Sequence, residues 1–412
     1  MRFRITHGSS VQTGQRFFSI SVSFTCTNDK KKLMSKIIHI IGNLARGGAE
    51  RFVIDLCNEM SCKPEYEIIL VSLCGNAKED SFIGEIDDRV TYVSFEKKSG
   101  FSWSVLMKLT AWLKAQAPDI VHSHQNSSEY LLLYRLDRND TIFFHTIHNL
   151  AEAECPGRML KLFRKLFYKR NKVIPVTISG NCSKSYREYY RLRNDVVIEN
   201  ARPPMQMTEE REELLRKYKG AGSGFLLVHI GRISPEKNQK LLIEVVQKIN
   251  ETELRPCRLL LIGEVKDEKL YQRLKKQVGA DDHIEFLGGK KNVGDYLSIA
   301  DAFCLSSTWE GMPISLIEAM SVGCIPVCTP IGGMNEMIST GVTGFLSEDV
   351  STAAYYDALK QALYSSDKVL IKENLKKDYE KKYTIGISAC KHLKVYAIAM
   401  NLSEHKVREL YC

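Results

Sequence analysis

Two glutamates, Glu310 and Glu318, stand eight residues apart in the stretch STWEGMPISLIEAMSVG, residues 307–323. Between them lies a Gly-Met-Pro turn, Gly311 to Pro313, and an apolar run begins at Ile314. Proline is pre-organised for the first turn of a helix, so the spacing predicts a helix whose amino end, with its outward-pointing N–H groups, opens directly after the turn. Glu318 then falls in the second turn and Glu310 just before the helix, where both carboxylates can face one ligand. An ionised carboxylate only accepts hydrogen bonds, which suits it to sugar or ribose hydroxyls, while the helix amino end suits an anion. Taken singly, Glu310 is equally consistent with a helix cap and Glu318 with a solvated face. It is the combination of strand, glycine turn, proline and spaced carboxylates that argues for a ligand.

A second group is cationic. GRISPEKN, Gly231–Asn238, directly follows the apolar run GFLLVHI, which puts Arg232 and Lys237 at the carboxyl end of a strand. Arginine offers a planar fork of donors and lysine a mobile point charge, so the pair suits a diphosphate; a lone R-x4-K also fits a solvated basic turn. Near the amino end, GNLARGGAERFV places Gly47 and Gly48 between a strand and a helix, where backbone can approach a ligand closely. It is neither a GxGxxG fingerprint nor a Walker A loop. His122, His124, His145 and His148 sit at or near the ends of two strands, DIVHSHQ and FFHTIHN. Alternation sends His122 and His124 to one face, and Thr146 and His148 likewise. Satisfied core histidines are the default reading for most of them, and His148, followed by Asn149 where the strand ends, is the one placed to reach a cleft.

The elements that must position these residues follow an α/β rhythm. From Ser35 the chain alternates short apolar runs, such as KIIHII and YEIILVSL, with longer amphipathic segments, such as AERFVIDLCNEM. The rhythm breaks at IENARPPMQM, around residues 200–208, and restarts at GFLLVHIG. Continuous apolar strands separated by helices indicate parallel sheets covered on both faces. The reading is therefore two doubly wound, Rossmann-like domains, 34–203 and 204–384, with a helical segment at 385–412. Ligands of such sheets bind outside the carboxyl ends of the strands, and a central cleft between two lobes is the natural place for a pair of substrates. Residues 1–33 are read as a disordered leader or an upstream start, because Met34 opens MSKIIHIIGNLARGGAE in the manner of a natural beginning.

Composition narrows the class without choosing the partner. With 44% hydrophobic and 26% charged residues, the 412-residue chain is that of an ordinary globular protein large enough for two cores. A net charge of +9 is compatible with phosphorylated substrates, an anionic membrane surface or nucleic acid. No apolar run reaches the ~18 residues of a membrane-spanning helix. The twelve cysteines form no CxxC pair, and Cys304, Cys324 and Cys328 lie in apolar runs, so reduced thiols and no metal centre are expected.

These residues resemble the retaining glycosyltransferases of family four, which have the two-Rossmann architecture called GT-B. The resemblance covers nearly all of residues 35–400. Its most specific element is the E-x7-E motif, matched by Glu310 and Glu318, and GRISPEKN, RGGAE and TIHN match three further blocks in the family's order. It implies that Arg232 and Lys237 hold the diphosphate of a nucleotide-sugar donor, Glu318 the ribose and Glu310 a hydroxyl of the transferred sugar. The backbone of Gly311, Met312, Pro313 and Ile314 would contact sugar and phosphate, His148 would sit beside the donor sugar, and Gly47 and Gly48 would line the phosphate and acceptor side. Glu264 and Val265 after Gly263 depart from the family's more glycine-rich turn.

The resemblance further implies a retaining sugar transfer, with UDP the expected nucleotide, to a glycan or lipid-linked acceptor in surface polysaccharide biosynthesis. No metal cofactor and no nucleic acid are expected. The same architecture also serves phosphorylase-like or hydrolytic enzymes and non-catalytic nucleotide-sugar-binding subunits. Finally, MLKLFRKLFYKRNK interleaves Leu160, Leu162, Phe163, Leu166 and Phe167 with Lys161, Arg164, Lys165, Lys169 and Arg170. It fits equally a core-facing helix with a solvated basic side and a helix that docks reversibly on an anionic cytoplasmic membrane face.

Overall fold

The computed structural model describes residues 34–75, 81–137, 140–170, 172–220 and 224–401. The leader reading of residues 1–33 and the last eleven residues of the C-terminal segment lie outside them.

The apolar runs form two parallel sheets. The first contains β1 (Ser35–Ile41), β2 (Tyr66–Cys74), β3 (Thr91–Lys97), β4 (Ile120–His124), β5 (Ile142–Ile147), β6 (Ile174–Thr177) and β7 (Val196–Val197). Its order is β3-β2-β1-β4-β5-β6-β7, every pair parallel. The second contains β8 (Phe225–Ile230), β9 (Cys257–Ile262), β10 (Ile284–Gly288), β11 (Ala302–Leu305), β12 (Pro326–Cys328) and β13 (Phe345–Leu346). Its order, β10-β9-β8-β11-β12-β13, repeats the doubly wound pattern, again all parallel. The α/β class with two doubly wound sheets is thus what the chain adopts. Helices cover both faces of each sheet, which is why central strands such as β1 and β8 are buried in an unbroken run rather than at alternate residues.

In each sheet the strand order reverses between the first and fourth strands, β1 and β4 in one, β8 and β11 in the other. Loops leaving the carboxyl ends of these strands are free of the sheet at that point, so they can line a crevice. The chain passes between the lobes twice, and the two passages lie side by side: Arg202 N–H donates to Tyr383 O at 3.0 Å and Ile385 N–H donates to Arg202 O at 3.0 Å. Beyond that point the helix Ile385–Asn401 packs on the helix Gly48–Ser61 of the first lobe. Tyr396 on this last helix is fully buried, and its hydroxyl is hydrogen-bonded to His122 Nδ1 beneath the first sheet's carboxyl edge.

Candidate active-site cleft

A cleft of about 620 Å³ lies between the carboxyl edges of the two sheets. From the second lobe, β11 runs into the loop that carries Glu310. Ser307 Oγ donates to Glu310 Oε1 at 2.7 Å, and Lys237 Nζ donates to the same oxygen at 2.5 Å. Lys237 closes a single 3-10 turn after β8, Pro235–Lys237. Ser306 Oγ, bonded to the carbonyls of Lys237 and Asn238 at 3.0 and 2.9 Å, ties this turn to the Glu310 loop. Arg232 is exposed in the cleft, and its carbonyl is held by Gln239 Nε2 at 2.8 Å. Arg232, Lys237 and Glu310, drawn from segments some 70 residues apart, therefore share one wall.

Gly311 shows why the turn needs glycine: a Cβ there would lie 2.9 Å from His148 O and 3.3 Å from Asn149 Cα. The turn thus brings the second lobe against the end of β5. Pro313 is the cap residue of the helix Ile314–Val322, whose first-turn amides have no intrahelical partner and open on the cleft beside Met312 and Ser315.

Glu318, in the second turn of that helix, is buried rather than solvated. Arg202 Nε donates to its Oε1 at 3.0 Å, and Arg202 Nη1 is paired with Asp55 of the helix Gly48–Ser61. Burial pushes the Glu318 carboxyl above its usual range, and the Arg202 guanidinium opposes the rise only in part. Burial pulls Arg202 down, but the Glu318 and Asp55 carboxylates outweigh it and hold the guanidinium charged.

The first lobe contributes Gly47 and Gly48 after β1, and His148 after β5. The Gly48 Cα stands close to Ile314 of the opposite lobe, a Cβ there falling 3.3 Å from Ile314 Cγ1. His148 N–H donates to Glu154 Oε2 at 2.7 Å, and burial pushes the Glu154 carboxyl up to about 7 despite the nearby Arg164. Trp309 Nε1 donates to Asn149 Oδ1 at 2.8 Å, a further contact between the lobes. All eleven site residues read from the sequence line this one cleft.

His122, His124 and His145 lie under its floor, fully buried. His145 Nε2 faces the carbonyl of Gln125 at 2.8 Å and must donate to it, so His145 Nδ1 accepts from Tyr168 Oη at 2.6 Å. This holds Gln125 in the left-handed region, φ 52°, while its amide Nε2 donates to Glu50 Oε1 at 3.0 Å. His39, His122 and His124 each bring one ring nitrogen within 4.8 Å of the others. Both nitrogens of His122 and of His124 are already hydrogen-bonded, His122 to Tyr396 and Thr146, His124 to His39 and His148.

Sequence reading missed several cleft residues, Glu50, Gln125, Glu154 and Arg202, and the Trp309 contact between the lobes. Arg202 had a local signal, since it immediately precedes the Pro-Pro break between the lobes. Glu50 had one as well, a carboxylate in the first turn of a helix behind two glycines.

Comparison with known proteins agrees with this geometry. Residues 46–201 match the family described as Glycosyltransferase Family 4, and residues 210–382 match Glycosyl transferases group 1. The chain is 27% identical over 293 residues to the Escherichia coli UDP-Gal:alpha-D-GlcNAc-diphosphoundecaprenol alpha-1,3-galactosyltransferase, covering 64% of this chain and 71% of that one. A Rickettsia africae glycosyltransferase structure superposes with a TM-score of 0.76 at 19% identity, over 90% of this chain and all of that one. Anabaena HepE in complex with UDP and glucose superposes with a TM-score of 0.74 at 17% identity, over 88% of this chain and 99% of that one. With each half of the chain matched by its own family description and both lobes closing on one cleft, the protein belongs to glycosyltransferase family 4 and is a glycosyltransferase of GT-B architecture.

Proposed function

We propose that this glycosyltransferase moves a sugar from a UDP-sugar, with retention of anomeric configuration, to a glycan or lipid-linked acceptor in surface polysaccharide biosynthesis. The observation that carries the reading is the convergence of Arg232, Lys237, Glu310 and the amino end of the helix Ile314–Val322 on one wall, with Glu318 beside them. Breaking the bond between the anomeric carbon and the phosphate oxygen loads negative charge onto the leaving diphosphate. Two cations and a helix amino end aimed at that position stabilise the charge as it develops. Lysine has three N–H donors, so Lys237 gives one to Glu310 and keeps others for the diphosphate. This set of positive groups does the work of a metal, and the transfer is proposed to run without one.

Glu318 accepts from Arg202 through Oε1 and offers Oε2 to the ribose; Glu310 takes a hydroxyl of the transferred sugar, and His148 stands beside that sugar. The acceptor hydroxyl attacks from the face the diphosphate leaves. Its proton passes to the departing phosphate oxygen, so Glu310 needs no role as a covalent nucleophile. UDP as the nucleotide and a lipid-linked acceptor are supported by the E. coli relative, whose name states both, and UDP also by the Anabaena complex.

Docking on the cytoplasmic face of a membrane completes the reading. Among the described residues no helix is long and apolar enough to cross one. The helix Arg158–Lys169 instead exposes Met159, Leu162 and Leu166, at 88%, 67% and 47%, beside Lys165, Lys169 and the following Arg170. Apolar side chains flanked by cations are what an anionic lipid surface takes up. The deciding assay supplies UDP-sugars and prenyl-diphosphate-linked glycans in the presence of a chelator and reads the product anomer by NMR. An α-linked product from an α-linked donor is expected. Donor cleavage at one rate with and without acceptor would replace transfer by hydrolysis.

A further inference from the structure

His148 is the cleft end of a chain of three imidazoles. Its Nε2 lies 3.0 Å from His124 Nδ1, and His124 Nε2 lies 3.0 Å from His39 Nδ1. His39 and His124, on β1 and β4, are fully buried. The rings follow one another at centroid distances of 5.3 Å (His39 to His124) and 5.2 Å (His124 to His148). Burial pushes His39 and His148 down to about 3 and His124 well below its ordinary value, so all three are neutral near pH 7. A neutral imidazole carries one N–H and one bare nitrogen.

That arithmetic leaves two arrangements for the whole chain. Each contact needs one donor and one acceptor, so either all three rings carry their proton on Nδ1 or all three carry it on Nε2. The terminal nitrogens, His39 Nε2 and His148 Nδ1, have no hydrogen-bond partner. With the protons on Nε2, a donor is orphaned at His39, sealed in the core between β1 and the sheet's covering helices. With the protons on Nδ1, the orphaned donor is at His148, the one ring of the three that lines the cleft. An unpaired buried N–H is the rarer and costlier defect, and only at the cleft can a ligand oxygen relieve it.

We infer that His39 and His124 are positioning residues that fix His148 as its Nδ1–H tautomer, so that the ring donates a hydrogen bond to an oxygen of the bound donor. The oxygen belongs either to the transferred sugar or to the diphosphate. This rests on the reading of the cleft as a nucleotide-sugar site. The chain has a specific consequence: His39, buried in an apolar strand and touching no substrate, controls which hydrogen-bonding face His148 shows.

The test is 15N NMR of the full chain labelled at histidine, with peaks assigned by single substitutions, ligand-free and with UDP or UDP-glucose. Pyrrole-type Nδ1 and pyridine-type Nε2 on His39, His124 and His148 together are expected. The Nε2–H form at His148, or independent tautomers in the three rings, overturns the proposal. His39→Leu removes the partner of His124 Nε2 and should leave His148 in mixed tautomers, raising the donor KM about twofold or more as the competent fraction falls. His39→Asn, whose amide sits where Nδ1 was, should restore both. A His148 Nδ1 signal that moves with UDP-glucose and not with UDP assigns the sugar oxygen; one that moves with both assigns the diphosphate. If neither ligand moves any signal or the melting temperature, the nucleotide-sugar reading fails, while the tautomer lock still stands or falls on the ligand-free spectra.

Discussion

Arg202 Nε donates to Glu318 Oε1 at 3.0 Å, and the same guanidinium is paired through Nη1 with Asp55. One buried side chain on the linker thus joins a helix of the first lobe to the helix that carries the second glutamate of the E-x7-E motif. Its backbone also pairs with the second passage between the lobes at Tyr383 and Ile385. The proposed donor site and the crossing between the lobes therefore share one side chain.

Removing Arg202 leaves the buried Glu318 without its ion-pair partner and Asp55 with Arg51 alone, 3.5 Å away. Loss of one partner of a buried ion pair typically costs about 3–5 kcal/mol, so Arg202→Met should lower stability on that scale in urea unfolding, with a matching fall in UDP affinity. A loss below ~1 kcal/mol would mean that the triad is solvated and contributes little.

Acid should destabilise the fold. His39, His122, His124, His145, His148, His229 and His392 are all pushed below their ordinary value by burial, His39 and His148 to about 3, His229 and His392 to about 4. The unfolded chain, with imidazoles near 6.5, then binds more protons than the fold. Each such histidine costs about 1.4 kcal/mol per pH unit from ~6.5 down to its folded pKa. Four carboxyls work the other way: Glu154, raised to about 7, and Glu50, Asp55 and Glu318, also raised. Protonated more readily in the fold, they add stability as pH falls. Seven histidines outweigh them, so the urea midpoint should drop from pH 7 to pH 5; an unchanged or higher midpoint would show that these imidazoles are hydrated.

The lobes carry a clasp outside the cleft. Glu336 of the second lobe accepts from the backbone N–H groups of Gly180 and Asn181, at 2.8 and 2.5 Å, at the amino end of the first-lobe helix Gly180–Tyr190. Such charge–dipole contacts are worth roughly 0.3–2 kcal/mol, enough to bias opening without unfolding either lobe. Glu336→Ala should increase the radius of gyration of the ligand-free protein in X-ray scattering, and a UDP-sugar should reverse the increase. Identical scattering from the two proteins would remove the clasp.

For the helix Arg158–Lys169 and its flank, reversing Lys165, Lys169 and Arg170 to glutamate should abolish flotation with anionic vesicles, each cation near the surface contributing about 1 kcal/mol. Transfer to a water-soluble acceptor should persist. Unchanged flotation would place the contact elsewhere.

What the sequence made legible were the features that act over a few residues. Strand ends announce themselves by apolar runs stopping at Gly231, Gly42 or Asn149, and the spacing of Glu310 and Glu318 about a Pro-led helix suggests one ligand for both. Contacts between distant segments were not legible. Nothing local couples Arg202 to Glu318, 116 residues on, or Glu336 to Gly180. Glu154 lies in AEAE, a segment that reads as a solvated helical turn, yet the fold buries its carboxyl against His148. His39 is a lone imidazole among the isoleucines of KIIHII, and only the pairing of β1 with β4 shows that it meets His124. The strand β7, two residues long, offers no pattern to read.

The central claim is a nucleoside-diphosphate site built on Lys237 and Arg232. It is tested most directly by thermal unfolding of the protein and of Lys237→Ala with UDP, GDP and ADP, each without added metal, since a ligand of the native state must raise its apparent stability. UDP should raise the melting temperature of the native protein more than GDP or ADP, and that rise should vanish in the variant. No rise with any of the three, or an equal rise in Lys237→Ala, would contradict the site.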